Sequence, residues 1–239
     1  MLDYLRYFTL IKPSVMITPS TTQTRPVFQT SFYSKVFLCF GMAVAVSALG
    51  TYLGMTYLAQ YFFATPAISY VLFAVELILI LSSKLWSQRQ PLNYVLFALF
   101  AFITGVTLVP LISYLTLSAG GIGLLVKALV ATALMFGATA IFGATTHYNL
   151  QGLRGFLIMS LIGMIIVSIV GIFLPWGNTF EMIFSGFGVI LFSGYIMYDI
   201  QKLKNYPENM YIDAALQLYL DIFNLFLYIL RLMSALNRR

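Results

Sequence analysis

Long apolar runs separated by short polar breaks make up most of this chain. The runs fall at about 33–58, 67–84, 92–115, 121–145, 155–174, 179–203 and 212–234. About 20 apolar residues in a helix cross the hydrocarbon core of a bilayer, so each run reads as a spanning segment. The breaks, QYFFATP, SQRQP, TLSAGG, THYNLQG, PWGN and KNYPENM, are a few residues each. Such short connections make consecutive helices antiparallel neighbours. The pattern predicts an all-α integral membrane protein, a seven-transmembrane-helix bundle of up-down topology. No internal repeat is visible, which weighs against an inverted-repeat transporter.

Ahead of the first run, residues 1–31 read as an N-terminal cytoplasmic tail, with 32–239 as the membrane domain. MLDYLRYFTLIK has the look of a short amphipathic piece, and PSVMITPSTTQTRP is rich in Thr, Ser and Pro and reads as irregular. The order of charged start, apolar run and small-residue cleavage site that marks a signal peptide is not followed, so the first run is expected to remain as the first helix.

Composition agrees with the pattern. Of 239 residues, 61% are hydrophobic and 8% charged, against about 25% charged in soluble domains. Little polar sequence is left over for a separate soluble catalytic unit. The net charge of +6 comes from 13 basic residues scattered through the loops as orientation signals, so no nucleic-acid partner is expected. Arg6, Lys12, Arg25 and Lys35, then Lys84 and Arg89, Arg154, and Lys202 and Lys204 fall on one side, which makes that side and the N-terminus cytoplasmic by the positive-inside rule. Lys127 is expected to snorkel at the other surface. Seven crossings would leave the basic end, Arg238 and Arg239, on the outer side, against the rule. The lone Cys39 and lone His147 exclude an internal disulfide and offer too few ligands for zinc or haem; no cofactor and no enzymatic activity are expected.

Small residues mark where helices should touch: the Gly50/Gly54 pair, Gly137, Ala140, Gly143 and Ala144, then Gly186 and Gly188. In lipid, close backbone approach is what packs helices together.

The polar residues inside the runs carry the candidate chemistry. Four of the seven acids, Asp199, Glu208, Asp213 and Asp221, lie in the last forty or so residues. Glu208 falls in a loop, and Asp213 reads as the N-cap of the last helix. Asp221 then lies about 12 Å along that helix, with Asp199 at a comparable but shallower depth on the other arm of a helical hairpin. A carboxylate in hydrocarbon costs roughly 2.5–3.5 kcal/mol on insertion scales. Gln217, Asp221, Asn224 and Tyr228 share one face of the last helix, and Tyr195, Tyr198 and Asp199 share one face of the helix before it. A stripe of this kind must face the bundle interior or a wet cavity, which predicts a central last helix. The plainer readings are a juxtamembrane Asp199 paired with Lys202 or Lys204, and, for the stripe, a purely structural hydrogen-bonded seam. Glu76, midway along the second run, has no base nearby in sequence and is expected to pair with Arg231 on the last helix. Lys84 and Arg89 are expected to snorkel.

Two adjacent buried carboxylates cannot both ionise cheaply, so they share a proton and titrate as a coupled pair. The shared proton holds two helices together, and loss of it drives them apart unless a cation bridges. Oxygen-only ligation suits hard ions such as Ca²⁺, and acidic pairs are a common basis of cation selectivity. The residues alone thus lead to a pH-responsive cation conductor or sensor, or to a proton-coupled transporter.

GYIMYDIQKL followed by AALQLYLDIFNLFLYILRL resembles the transmembrane Bax-inhibitor-motif family, in particular its bacterial members. The first segment is similar to the family's Tyr-x-x-Tyr-Asp pattern through Tyr195, Tyr198 and Asp199. The second is similar to its Ala-x-x-Leu-Tyr-Leu-Asp-x-x-Asn-Leu-Phe pattern. The resemblance implies seven helices with the last one enclosed, and a pH-sensitive Ca²⁺ leak with Asp199 and Asp221 as the di-aspartyl sensor and Ca²⁺ contact in the ion path. Supporting positions are Glu76, Arg231, Asn224, Gln217, Tyr195 and Tyr198. It also implies a basic partner for the sensor late in the second helix, for which Lys84 and Arg89 are both candidates. The expected partners are the lipid bilayer, Ca²⁺ and protons, and the expected location is the bacterial inner membrane. The alternatives are a proton-coupled transporter and a non-conducting regulator that acts through membrane-protein partners.

Overall fold

A computed structural model describes residues 30–118, 121–174 and 177–238. The tail 1–31 lies outside the described residues except for Thr30 and Ser31. Among the described residues the structure is entirely helical. Six helices are long and apolar enough to cross a membrane: Phe32–Ala64, Leu92–Leu115, Gly121–Thr145, Leu150–Phe173, Asn178–Asn205 and Glu208–Asn237. The chain is a multi-pass membrane protein.

The first crossing differs from expectation. Helix α1 (Thr30–Leu53) does not stop near residue 58 but passes through a π-helical turn, Gly54–Leu58, into α2 (Ala59–Ala64). The rod ends there because Thr65 precedes Pro66 and leaves the helical region, with φ −138° and ψ 83°; proline disfavours the helical conformation in the residue before it. Helix α3 (Ala67–Leu81) has 15 residues, about 22 Å, against a hydrocarbon core of about 30 Å. It is the expected second span, cut short by a break at Ser82 and followed by the single turn α4 (Ser83–Trp86). The break is built in: the Trp86 indole N–H donates to the Leu79 carbonyl at 3.1 Å, and the Asn93 amide to the Ser87 carbonyl at 3.1 Å.

The third span likewise divides into α5 (Leu92–Thr107) and α6 (Val109–Ser118). Pro110 cannot donate to the carbonyl four residues back, so the helix interrupts at Leu108. Helices α7 (Gly121–Thr145), α8 (Arg154–Phe173), α9 (Asn178–Lys202) and α10 (Tyr211–Asn237) follow the predicted runs closely. Two 3-10 turns, Leu203–Asn205 and Glu208–Met210, join α9 to α10. Asp213 is therefore not the N-cap. It lies in the first turn of a helix that begins at Tyr211, where its charge suits the helix dipole.

Helix α10 packs along α9, α1, α7 and α5, and Leu218, Tyr219, Leu225 and Leu230 are fully enclosed. Close approach occurs at some of the expected glycines and at Gly105, which was not among them. Gly50 meets the Phe102 backbone and Gly105 meets the Ser47 backbone, binding α1 to α5. Gly143 meets Met197 between α7 and α9, and Gly188 lies under the Tyr228 ring between α9 and α10. Gly137 and Gly186 face open space and make no close helix contact.

Candidate functional site

The α9–α10 hairpin brings the two aspartates together. Asp199, three residues before the end of α9, is 8% exposed, and Asp221, ten residues into α10, is 6% exposed. Their carboxyl groups are within hydrogen-bonding reach of each other. The Oδ2 atom of Asp221 is buried and has no donor. Two carboxyl groups can form a hydrogen bond only if one of them carries a proton, so this arrangement is satisfied by one proton or one cation.

The hairpin also brings in polar neighbours from the end of the bundle that carries the basic residues. Lys202 Nζ is 4.0 Å from Asp199 Oδ1 and donates to Gln217 Oε1 at 3.0 Å. Gln217 Nε2 in turn donates to the Tyr206 hydroxyl at 2.7 Å, and Lys202 also lies 5.1 Å from the centre of the Tyr206 ring. Lys204 is occupied elsewhere, donating to the Ala144 carbonyl at 2.7 Å. Lys202 is thus the base beside the pair, while Lys84 and Arg89 make no ion pair or side-chain hydrogen bond among the described residues. Tyr206 was missed by sequence reasoning. The only signal for it is its place before Pro207, where the connecting turn folds it back over α10.

Asp199 and Asp221 open on a cavity of about 1210 Å³ between α3, α8, α9 and α10. Tyr195, Tyr198, Gln217, Asn224 and Arg231 line it too, so the predicted stripe faces a common space. Asn224 donates to the Leu220 carbonyl at 2.8 Å within its own helix. Arg231 stands at the far end, over the Tyr228 ring at 5.9 Å.

Glu76 is elsewhere, and no ion pair joins it to Arg231 among the described residues. It is 8% exposed and accepts from the Thr107 hydroxyl at 2.8 Å. Nearby, the Thr104 hydroxyl is bonded to the Tyr219 hydroxyl, with Ser47 also in reach of Tyr219. This second polar seam joins α3, α5, α1 and α10. It escaped the sequence because which hydroxyl meets Glu76 depends on the rotation of α3 against α5. Among the described residues there is no group of three or more metal-ligating side chains, so any bound cation would rest on the two carboxylates, backbone oxygens and water.

Residues 29–238 match the family model described as Inhibitor of apoptosis-promoting Bax1. An uncharacterised protein of Campylobacter jejuni is 32% identical over 218 residues, which cover 90% of this chain and 93% of that protein. Inner membrane protein YbhL of Escherichia coli K12 is 34% identical over 188 residues, 72% of this chain and 75% of that one. Protein LIFEGUARD 4 of Arabidopsis thaliana is 30% identical over 222 residues, 88% of this chain and 87% of that one.

Proposed function

The chain belongs to the Inhibitor of apoptosis-promoting Bax1 family, and on that premise we propose that it is a pH-sensitive Ca²⁺ leak channel gated at Asp199 and Asp221. The observation that carries the reading is the pair itself: two buried carboxyl groups facing each other across the α9–α10 hairpin, with one oxygen lacking any donor. In the protonated state a single proton bridges the carboxyls and fastens α9 to α10. When it leaves, two negative charges in a low dielectric repel, and a divalent cation replaces the proton as the bridge. Lys202 tempers the charge at the basic end of the hairpin, from which the ion approaches.

In this reading α3 with its appended turn α4 serves as a seventh, short crossing, and α10 is the enclosed helix about which the others are arranged. The basic residues at the Lys202 end support a cytoplasmic location for that end and for the N-terminus. Inner membrane protein is the printed description of the Escherichia coli relative, and the same location is proposed here.

The test is Ca²⁺ flux into proteoliposomes from about pH 6 to about pH 8, wild type against Asp221→Asn and Asp199→Asn. Reduced flux and an altered pH profile in both variants are expected. Wild-type flux and profile in both would sink the mechanism. Saturable uptake of a specific solute would point instead to a proton-coupled transporter. The printed family description favours one further reading, a regulator acting through protein partners, which predicts co-purifying proteins and no flux.

A further inference from the structure

We propose that the cavity between α3, α8, α9 and α10 is a binding site for one anionic phospholipid of the surrounding bilayer, its acyl chains inside and its phosphate at Arg154. The inference goes beyond the leak reading and does not depend on it. Three observations carry it. First, the cavity is open to the side. Helix α8 packs along α9, and α3 along α5. Both line the same space of about 1210 Å³, with no extended packing between them. A void of this size is far beyond what packed interiors leave, and it lies at the depth of the lipid tails.

Second, the walls divide by chemistry across the cavity. Opposite the polar stripe of α9 and α10, the α3 and α8 walls are apolar, with Leu77 and Ile80 from α3 and Leu161, Ile165 and Ile169 from α8. Water has few partners on such a surface, whereas an acyl chain needs none. Third, the basic end of the cavity holds Arg154, at the first position of α8. The other cation at that end, Lys202, is already engaged by Gln217 and Asp199. Arg154 is exposed and makes no side-chain hydrogen bond or ion pair among the described residues. A guanidinium at the headgroup level, above an apolar slot open to lipid, matches a phosphate with two tails below it. A neutral lipid would fill the slot but leave Arg154 facing no net charge.

The experiment uses the full chain reconstituted in vesicles of equal phosphatidylcholine and phosphatidylglycerol, extracted in mild detergent and weighed by native mass spectrometry. One retained phospholipid is expected, with phosphatidylglycerol favoured by about fivefold, the value of one basic residue facing an anionic headgroup. Arg154→Gln brings the two lipids to parity, and Arg154→Lys keeps the preference. Ile165→Trp with Ile169→Trp, which fills the slot, lowers retention of both lipids. Four results would overturn the proposal: no retained phospholipid, equal retention of the two lipids by wild type, undiminished retention in the filled variant, or a second copy of the chain in place of lipid. None of these readouts uses Ca²⁺, so failure here leaves the leak reading standing, and loss of flux leaves this one.

Discussion

Helix α10 has a buried acid against it on two sides, and the two are treated differently. Toward α3 and α5, Glu76 faces a hydroxyl donor, Thr107, at 2.8 Å, beside the Thr104–Tyr219 bond. Toward α9, Asp221 faces another acid, and one of its oxygens has no donor. An acid that meets a hydroxyl is satisfied by the protein alone. An acid that meets an acid is satisfied only by something brought in from solution, a proton or a cation. Burial is similar at the two places, so burial alone does not separate structure from function; the partner does.

The comparison is broken most sharply at Asp221. Asp221→Asn removes one of the two charges that would bridge a divalent ion, and Ca²⁺ flux into proteoliposomes is expected to fall by on the order of tenfold, about 1.4 kcal/mol. Ca²⁺ binding by the wild type should strengthen as pH rises, because proton and cation compete for the same oxygens. The limit for one displaced proton is about tenfold per pH unit, measured by calorimetry at several pH values. Affinity independent of pH would remove the shared proton from the picture.

On the other side of α10, Thr107→Val leaves Glu76 without its donor and is expected to destabilise the protein by about 1–3 kcal/mol. Thermal unfolding in detergent reads this, and the pH profile of flux should not change. Lys202→Met should alter flux about two- to fivefold, the range of a part-exposed ion pair, while Lys84→Met should leave it alone. Glu76→Gln, which keeps an acceptor for Thr107, is likewise expected to leave the pH profile of flux unchanged. A shifted pH profile in that variant would make the two acids alike and end the contrast.

Much of this was legible in the chain. Apolar runs of spanning length located the crossings, because hydropathy is a property of each segment by itself. The pairing of Asp199 with Asp221 was legible too, since two acids at matched depth on the arms of one short hairpin have few other places to go. What depends on rotation between helices was not. Glu76 was assigned to Arg231 on charge alone, yet it turns to Thr107 on α5. Lys84 and Arg89 were candidates for the base near the pair, yet Lys202, which the plainer reading of the sequence had already set against Asp199, holds that place. The break at Leu108 had a visible cause in Pro110, but the π turn in the first rod had none.

That turn has a consequence for how the gene can vary. Gly54 lies against Val109, and Phe62, eight positions later, is buried with Val106 and Val109. At about 100° per residue, eight positions of regular α-helix would carry Phe62 about 80° off the line of Gly54. The π turn accommodates one surplus residue, so the effective spacing is seven, and the offset shrinks to about 20°. Thr56, Tyr57 and Leu58 in the turn are exposed. Removing Thr56 should therefore yield an uninterrupted α-helix with Phe62 still in register, and the unfolding temperature should hold. Removing one residue from α5 instead should misalign Gly105 and Ser47 and lower it. Relatives of this chain can thus differ in length by one residue here without changing what the rod presents to its neighbours.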